Sequence, residues 1–232
     1  MSAPVSPIPP VVPASTSAFN LVRTLGLVST ICGLIIVGAY QGTYDAAAAN
    51  RRLALERTVF NVIPAAKTMV EWQATPQGIR PAGGEQAAGA VKFYATYDEG
   101  GALAGIGVEA GAKGYADVVR ILYGYSYDCQ CITGIGVVSM KETPGIGDKI
   151  ITDKEFLANF KALDVKLNAE LTALANEVKV VKHGTKTSPW QIDAIAGATV
   201  TSRAVGKAIN DSAQQLLPKL APEIDKLRKK ES

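Results

Sequence analysis

From Thr24 to Tyr44 the chain carries no charged side chain, and the centre of this run, LGLVSTICGLIIVGAY, is strongly apolar. About 20 residues at a rise of about 1.5 Å cross a bilayer core of about 30 Å. The run therefore reads as one transmembrane helix over residues 19–44. A cleaved signal peptide is the competing reading, because Ala46 to Ala49 offer the small residues a peptidase needs. Against it, the apolar run exceeds the roughly 7–15 residues of a signal core, and Arg23 is a thin positive region for so long a leader. Arg23 lies on one flank and Arg51, Arg52 and Arg57 on the other, so charge alone does not orient the span. Residues 1–18, proline-rich and uncharged, read as a disordered tail.

Residues 45–64 hold good helix formers, with Leu53, Leu55, Val59 and Phe60 recurring on one side until Pro64 stops them, which predicts a helical stalk. The remainder, 65–232, reads as one domain. AVKFYATYD alternates, Gly100-Gly101 turns and ALAGIGVEA resumes, predicting a hairpin. CITGIGVVSM and EVKVVKHG also have strand character. TDKEFLANFKAL and LNAELTALANEV have helical spacing, with Asp153 and Asn168 near their starts. A long helix is expected from about Ser202, interrupted or kinked at Pro218 and Pro222. Locally paired strands with helices between blocks indicate an α+β domain with an antiparallel sheet and flanking helices, since no strict βαβ alternation is present.

Charge excludes some functions. The 24 basic and 21 acidic side chains are spread along the chain, leaving a net charge of +3, which is too even for a nucleic-acid footprint. Cys32, Cys129 and Cys131 cannot supply the four thiolates of an iron–sulfur cluster, and no haem-attachment motif occurs. The single histidine, His183, leaves no imidazole pair for a metal and reads as a solvated strand-end residue. Cys129 and Cys131 would share a face of an extended segment; they are incidental thiols, a pair able to oxidise outside the cytoplasm, or part of a cluster shared with a partner.

The chemistry concentrates in Asp193-Ala-Ile-Ala-Gly-Ala-Thr-Val-Thr-Ser202, where an apolar strand runs through a small-residue turn into a helix. Ala196, Gly197 and Ala198 leave the backbone open to a bulky ligand, while Thr199, Thr201 and Ser202 place hydroxyls at the helix start. Unpaired amides there and the helix dipole favour a phosphate, although hydroxyls before a helix also serve simply as caps. Upstream, Lys141-Glu-Thr-Pro-Gly-Ile-Gly147 follows a strand and reads locally as a tight turn.

The first segment resembles the D-x-x-[S/T]-G-A-T-x-T-S signature of the FMN-binding domain found in the G subunit of Rnf complexes and the C subunit of sodium-translocating NADH:quinone reductases. Glu142-Thr-Pro-Gly-Ile-Gly147 resembles the same family's E-T-P-G-L-G block, and Gly114-Tyr115 sits where relatives commonly carry G-Y-G-G, with Ala116 and Asp117 in place of the glycines. Ala196 departs from the Ser or Thr of most relatives, which removes one hydroxyl beside the turn.

The resemblance implies FMN held through its phosphate on Thr199, with Gly197, Ala198, Thr201 and Ser202 around the attachment point. It also implies that Glu142, Thr143 and Gly145 belong to a loop closing over the flavin, Glu142 orienting that loop. Because an alcohol is a poor nucleophile without an adjacent base, a helper is implied too: a flavin transferase using FAD and a divalent metal. The implied protein is a redox-carrier subunit of an Rnf-type ion-translocating ferredoxin:NAD oxidoreductase. It would sit in the bacterial inner membrane among other membrane subunits, single-pass, with its C-terminal domain periplasmic. The C-type quinone-reductase subunit, or a flavin-free assembly or regulatory module of the same fold, are the alternatives.

Overall fold

The computed structural model of the chain describes residues 17–83 and 89–228; the tail expected over residues 1–18 lies almost wholly outside them. The chain divides between Arg51 and Arg52 into two compact units. Helix α1, Ala18–Val62, includes the apolar run and is long and apolar enough to cross a membrane.

In the second unit, β1 (Thr68–Thr75), β2 (Gly78–Pro81), β3 (Val91–Tyr97), β4 (Leu103–Lys113), β5 (Val118–Ser126) and β6 (Cys131–Ser139) follow α1. Short helices α2 (Lys149–Thr152) and α3 (Lys154–Ala158) come next, then β7 (Leu163–Asp164), β8 (Lys179–Val181) and β9 (Gln191–Asp193). The chain closes with α4 (Thr199–Leu220) and a 3-10 helix, Ala221–Leu227. The seven-stranded sheet runs β2-β1-β3-β4-β5-β6-β7 and every pairing in it is antiparallel, whereas β8 and β9 form a separate parallel pair.

Period-2 alternation sends side chains to opposite faces of the sheet, and both faces are covered. On one, Phe93, Ile121 and Tyr123 pack with Val205, Ile209 and Leu216 of α4, and Tyr123 Oη lies 3.0 Å from Ser212 Oγ. On the other, Tyr94 and Leu122 meet Leu55, Val59, Val62 and Ile63, while Leu53 stays exposed. Gly124 and Gly136 permit this close seat. A Cβ at Gly124 would lie 2.9 Å from Val62 Cγ1, and one at Gly136 would overlap Thr58.

Three expectations need correction. LNAELTALANEV is not helical. Asn168 Oδ1 accepts the Thr172 and Ala173 amides and closes a turn, while the Leu174 and Val178 amides donate to Gln214 Oε1 and Asn210 Oδ1 of α4. Backbone donors that a helix would have used internally are thus satisfied by α4. Similarly, Asp153 does cap α3 by accepting the Phe156 amide, but Asn159 ends that helix after one turn. Its Nδ2 donates to Phe156 O, and its Oδ1 accepts the Asp193 amide and Lys186 Nζ. Finally, Pro218 does not end α4 but is accommodated inside it, whereas the interruption expected at Pro222 is present, since 3-10 geometry begins at Ala221 with Pro222 in its first turn.

Cys129 and Cys131 form a disulfide across the turn between β5 and β6, which includes Gln130 at φ 50°. The segment is a turn rather than extended, which brings the two sulfurs together.

Candidate functional site

Three chain segments converge on one open cavity of about 420 Å3: Tyr115 after β4, the loop Glu142 to Gly147 after β6, and the turn Gly197 to Thr201 that starts α4. That volume lies within the range of about 300–1,000 Å3 for small-molecule sites. Of the residues singled out in the sequence, Glu142, Thr143, Gly197, Ala198, Thr199 and Thr201 line it. Ser202 and Gly145 do not: Ser202 is wholly buried behind the turn, and Gly145 takes φ 77° in the loop. Gly147, which ends the Glu142–Gly147 block, also lines the cavity, as do the apolar Tyr115, Ile146 and Val200, of which Tyr115 lies outside the two matched blocks. The Gly114-Tyr115 match was the available signal for Tyr115; Ile146 and Val200 occupy positions inside the two matched blocks that carry no polar group to mark them.

The turn before α4 is built from a short strand, a left-handed glycine and a helix start. β9 delivers Asp193, whose carboxylate accepts the Gly184 amide at 2.8 Å, with His183 Nδ1 3.2 Å from Ala194 O. Gly197 then reverses the chain at φ 82°, a conformation that side chains rarely adopt.

The three hydroxyls have three different fates, and none of them caps α4. Ala198 holds the N-cap position, so no side chain closes the helix start and its first-turn amides have no side-chain acceptor. The Ser202 hydroxyl accepts the Ile195 amide at 3.1 Å and donates to Ala198 O at 3.0 Å, stitching the turn. Thr201, 2% exposed, donates its hydroxyl to Glu142 Oε2 at 2.6 Å. The Thr199 hydroxyl has no hydrogen-bond partner among the described residues and faces a cavity it lines.

Glu142 is the charged residue of the lining. Burial pushes its carboxyl upward, but the Thr201 hydroxyl and the Ala116, Tyr115 and Asp117 amides outweigh that and hold it below the ordinary glutamate value. It therefore remains an acceptor at neutral pH. Among the described residues no basic side chain lines the cavity, so an anion there depends on backbone donors and the dipole of α4.

Residues 114–214 match the family described as the FMN-binding domain, a span containing every residue of the cavity lining. The chain is also similar to named subunits of ion-translocating complexes. It is 34% identical over 122 residues to the G subunit of the ion-translocating oxidoreductase complex of Methanosarcina acetivorans, covering 53% of this chain and 56% of that protein. With the G subunit of the sodium-translocating ferredoxin:NAD oxidoreductase complex of Acetobacterium woodii it shares 35% over 117 residues, 49% of this chain and 50% of that one. These two alignments span only about half of each relative. A longer one, 26% identical over 200 residues, covers 86% of this chain and 92% of the G subunit of the proton-translocating ferredoxin:NAD oxidoreductase complex of Clostridium ljungdahlii.

Solved structures agree on the fold. The C subunit of the sodium-translocating NADH-quinone reductase of Parabacteroides distasonis superimposes with a TM-score of 0.59 at 16% identity, covering 75% of this chain and 96% of that one. NqrC of Shewanella oneidensis gives 0.53 at 18% identity, covering 77% and 98%.

The cavity has features that suit an FMN group. It has a polar end, formed by the Thr199 hydroxyl and the start of α4, neither of them paired by a side chain among the described residues, and an apolar rim of Tyr115, Ile146 and Val200. A phosphate fits the first and a flat ring the second. Nothing stands within 4 Å of a Cβ built on Gly197, so the turn is open to approach from outside.

Proposed function

We propose that this chain is a membrane-anchored electron-transfer subunit of an Rnf-type ion-translocating ferredoxin:NAD oxidoreductase, carrying FMN esterified through its phosphate to Thr199. The observation that carries the attachment point is the division of labour among the hydroxyls: Ser202 and Thr201 are committed to the fold, and Thr199, without a partner among the described residues, lines the cavity. The relatives named as G subunits support the Rnf assignment. The C-type quinone-reductase subunit is the second reading, favoured by likeness of fold.

Attachment forms a bond between Thr199 Oγ1 and the FMN phosphorus of FAD, breaks the pyrophosphate P–O bond, releases AMP and passes the hydroxyl proton to a base. His183 hydrogen-bonds near Ala194 O and does not line the cavity, so that base comes from a flavin transferase, which also supplies the divalent metal. Once bound, the flavin supplies one- and two-electron redox chemistry. The chain supplies placement, burial and the surrounding field. Thr199 would fix one end, the amides at the start of α4 would hold the phosphate, and Thr143 with its loop would lie over the ring or ribityl chain.

The apolar run of α1 serves as a single-pass anchor in the inner membrane, with the domain on the periplasmic side among the other membrane subunits. The Cys129–Cys131 disulfide supports that side, because such bonds persist in oxidising compartments. A reporter active only in the cytoplasm, fused to Ser232, should stay silent; strong activity would reverse the orientation.

The decisive test of the flavin is simple. Protein purified from cells that make the transferase and run on a denaturing gel should show a fluorescent flavin band. A colourless, non-fluorescent band would favour a flavin-free module of the same fold.

A further inference from the structure

Among the described residues lining the cavity, Glu142 bears the charge, yet its carboxylate is occupied entirely by the protein. Oε1 accepts the Ala116 amide at 3.1 Å and the Asp117 amide at 3.5 Å; Oε2 accepts the Tyr115 amide at 3.3 Å and the Thr201 hydroxyl at 2.6 Å. Successive amides aimed at one point form a concavity that binds anions. Here the anion is a side chain of the same domain, arriving from a loop 25 to 27 residues further along.

Two glycines make this possible through space. A Cβ on Gly114 would lie 2.6 Å from Glu142 Oε1, and one on Gly147 would lie 2.6 Å from Glu142 Cβ and 3.2 Å from Thr201 Oγ1. The segments 114–117, 142–147 and 199–202 are therefore joined at one carboxylate, with side chains excluded from both flanks.

The joint has a visible product. Tyr115 is 72% exposed, an unusual position for an aromatic side chain whose backbone amide is pinned, and Ile146 and Val200, each 49% exposed, stand around the same opening. A rigid aromatic offers large contact area at low entropic cost and stacks offset on flat π-systems.

We propose that Glu142 is a positioning residue whose carboxylate holds the Tyr115 loop so that Tyr115 stacks on the flavin ring of the group carried by Thr199. The carboxylate works through the 115–117 backbone and through Thr201, so one side chain sets both the wall of the pocket and the helix start that presents the attachment hydroxyl. This rests on the Thr199 reading above.

The test uses the full chain, co-produced with the transferase, in four forms: parent, Glu142→Gln, Tyr115→Ala and Tyr115→Phe. The readouts are the flavin band on a denaturing gel, the visible circular dichroism of the bound flavin, and amide exchange at residues 115–117. Glu142→Gln keeps the side-chain volume but loses the charge, and the bonds it weakens are charge-assisted, so exchange at these amides should quicken about tenfold. The gel band should persist while the flavin dichroism falls several-fold. Tyr115→Ala should lose the dichroism with exchange at Ala116 and Asp117 unchanged, and Tyr115→Phe should keep both. Combining Glu142→Gln with Tyr115→Ala should cost no more dichroism than Tyr115→Ala alone, because both act through one contact.

A parent protein without a flavin band overturns the Thr199 reading and this proposal with it. A flavin-bearing parent whose dichroism survives Glu142→Gln overturns the proposal alone, whatever the exchange rates. Should Glu142→Gln fail to accumulate as folded protein, Thr201→Val takes its place. It removes one of the four donors, and a partial loss of dichroism supports the proposal while an unchanged spectrum overturns it.

Discussion

Thr199→Ala is expected to reduce covalent flavin to background while the protein still folds and inserts. The loss should be complete because the neighbouring hydroxyls cannot substitute. Thr201 is 2% exposed and bonded to Glu142, and Ser202 is wholly buried and bonded at both its lone pair and its proton. Using either would break a hydrogen bond inside the turn and require the helix start to open. Folding should survive because the Thr199 hydroxyl makes no bond among the described residues and the N-cap position belongs to Ala198. Removing an unbonded, partly exposed hydroxyl falls in the class of surface changes within about 0.5 kcal/mol. Thr201→Ala is the matching control and should retain the band. A fluorescent flavin band on Thr199→Ala at parental intensity would move the attachment elsewhere.

Gly197→Val should also lose most flavin, although Thr199 is untouched. The cause is conformation. Nothing lies within 4 Å of a Cβ at Gly197, so the folded domain has room for the new side chain. The backbone there sits at φ 82°, however, where a β-branched residue is an outlier and the left-handed region costs roughly 1–2 kcal/mol. Valine therefore either strains the turn or rotates it, displacing Thr199 two residues on. It also fills the open approach that a phosphate and a modifying enzyme both need. Ala196→Ser, exposed and in the same turn, restores the commoner family residue and should be accepted. Mass spectrometry of the Thr199 peptide would decide between them. An adduct on Gly197→Val at parental occupancy would show that neither φ nor openness at this position matters.

The two predictions rest on features of unequal visibility in the sequence. The apolar run, the alternating strands and the glycine-alanine-threonine turn could all be read directly, because each depends on residues adjacent in the chain. The residues 167–178 could not. Their helical spacing is real, but Gln214 and Asn210 on α4 compete for the backbone amides, and that competition is set by tertiary contact. The same holds for Asn159, which ends α3 by reaching Asp193 across the fold. Gly124 in β5 and Gly136 in β6 seat the end of α1, a role set by packing between segments distant in the chain. At the cavity, Glu142 and Thr199 could be singled out through a family pattern, whereas the link from Glu142 to Thr201 and to the 115–117 amides required three distant segments to be placed together.

The unequal treatment of the three hydroxyls also bears on the order of events in biogenesis. In an extended chain Thr199, Thr201 and Ser202 are chemically alike, primary or secondary alcohols within four consecutive residues, and a modifying enzyme would have to tell them apart by sequence context alone. After folding, two have become structural donors and one remains available. Discrimination is then a property of the native state. Flavin loading on this reading follows translocation and folding of the domain, and a chain that misfolds around α4 would be left unloaded, so that cofactor content reports on the quality of the fold.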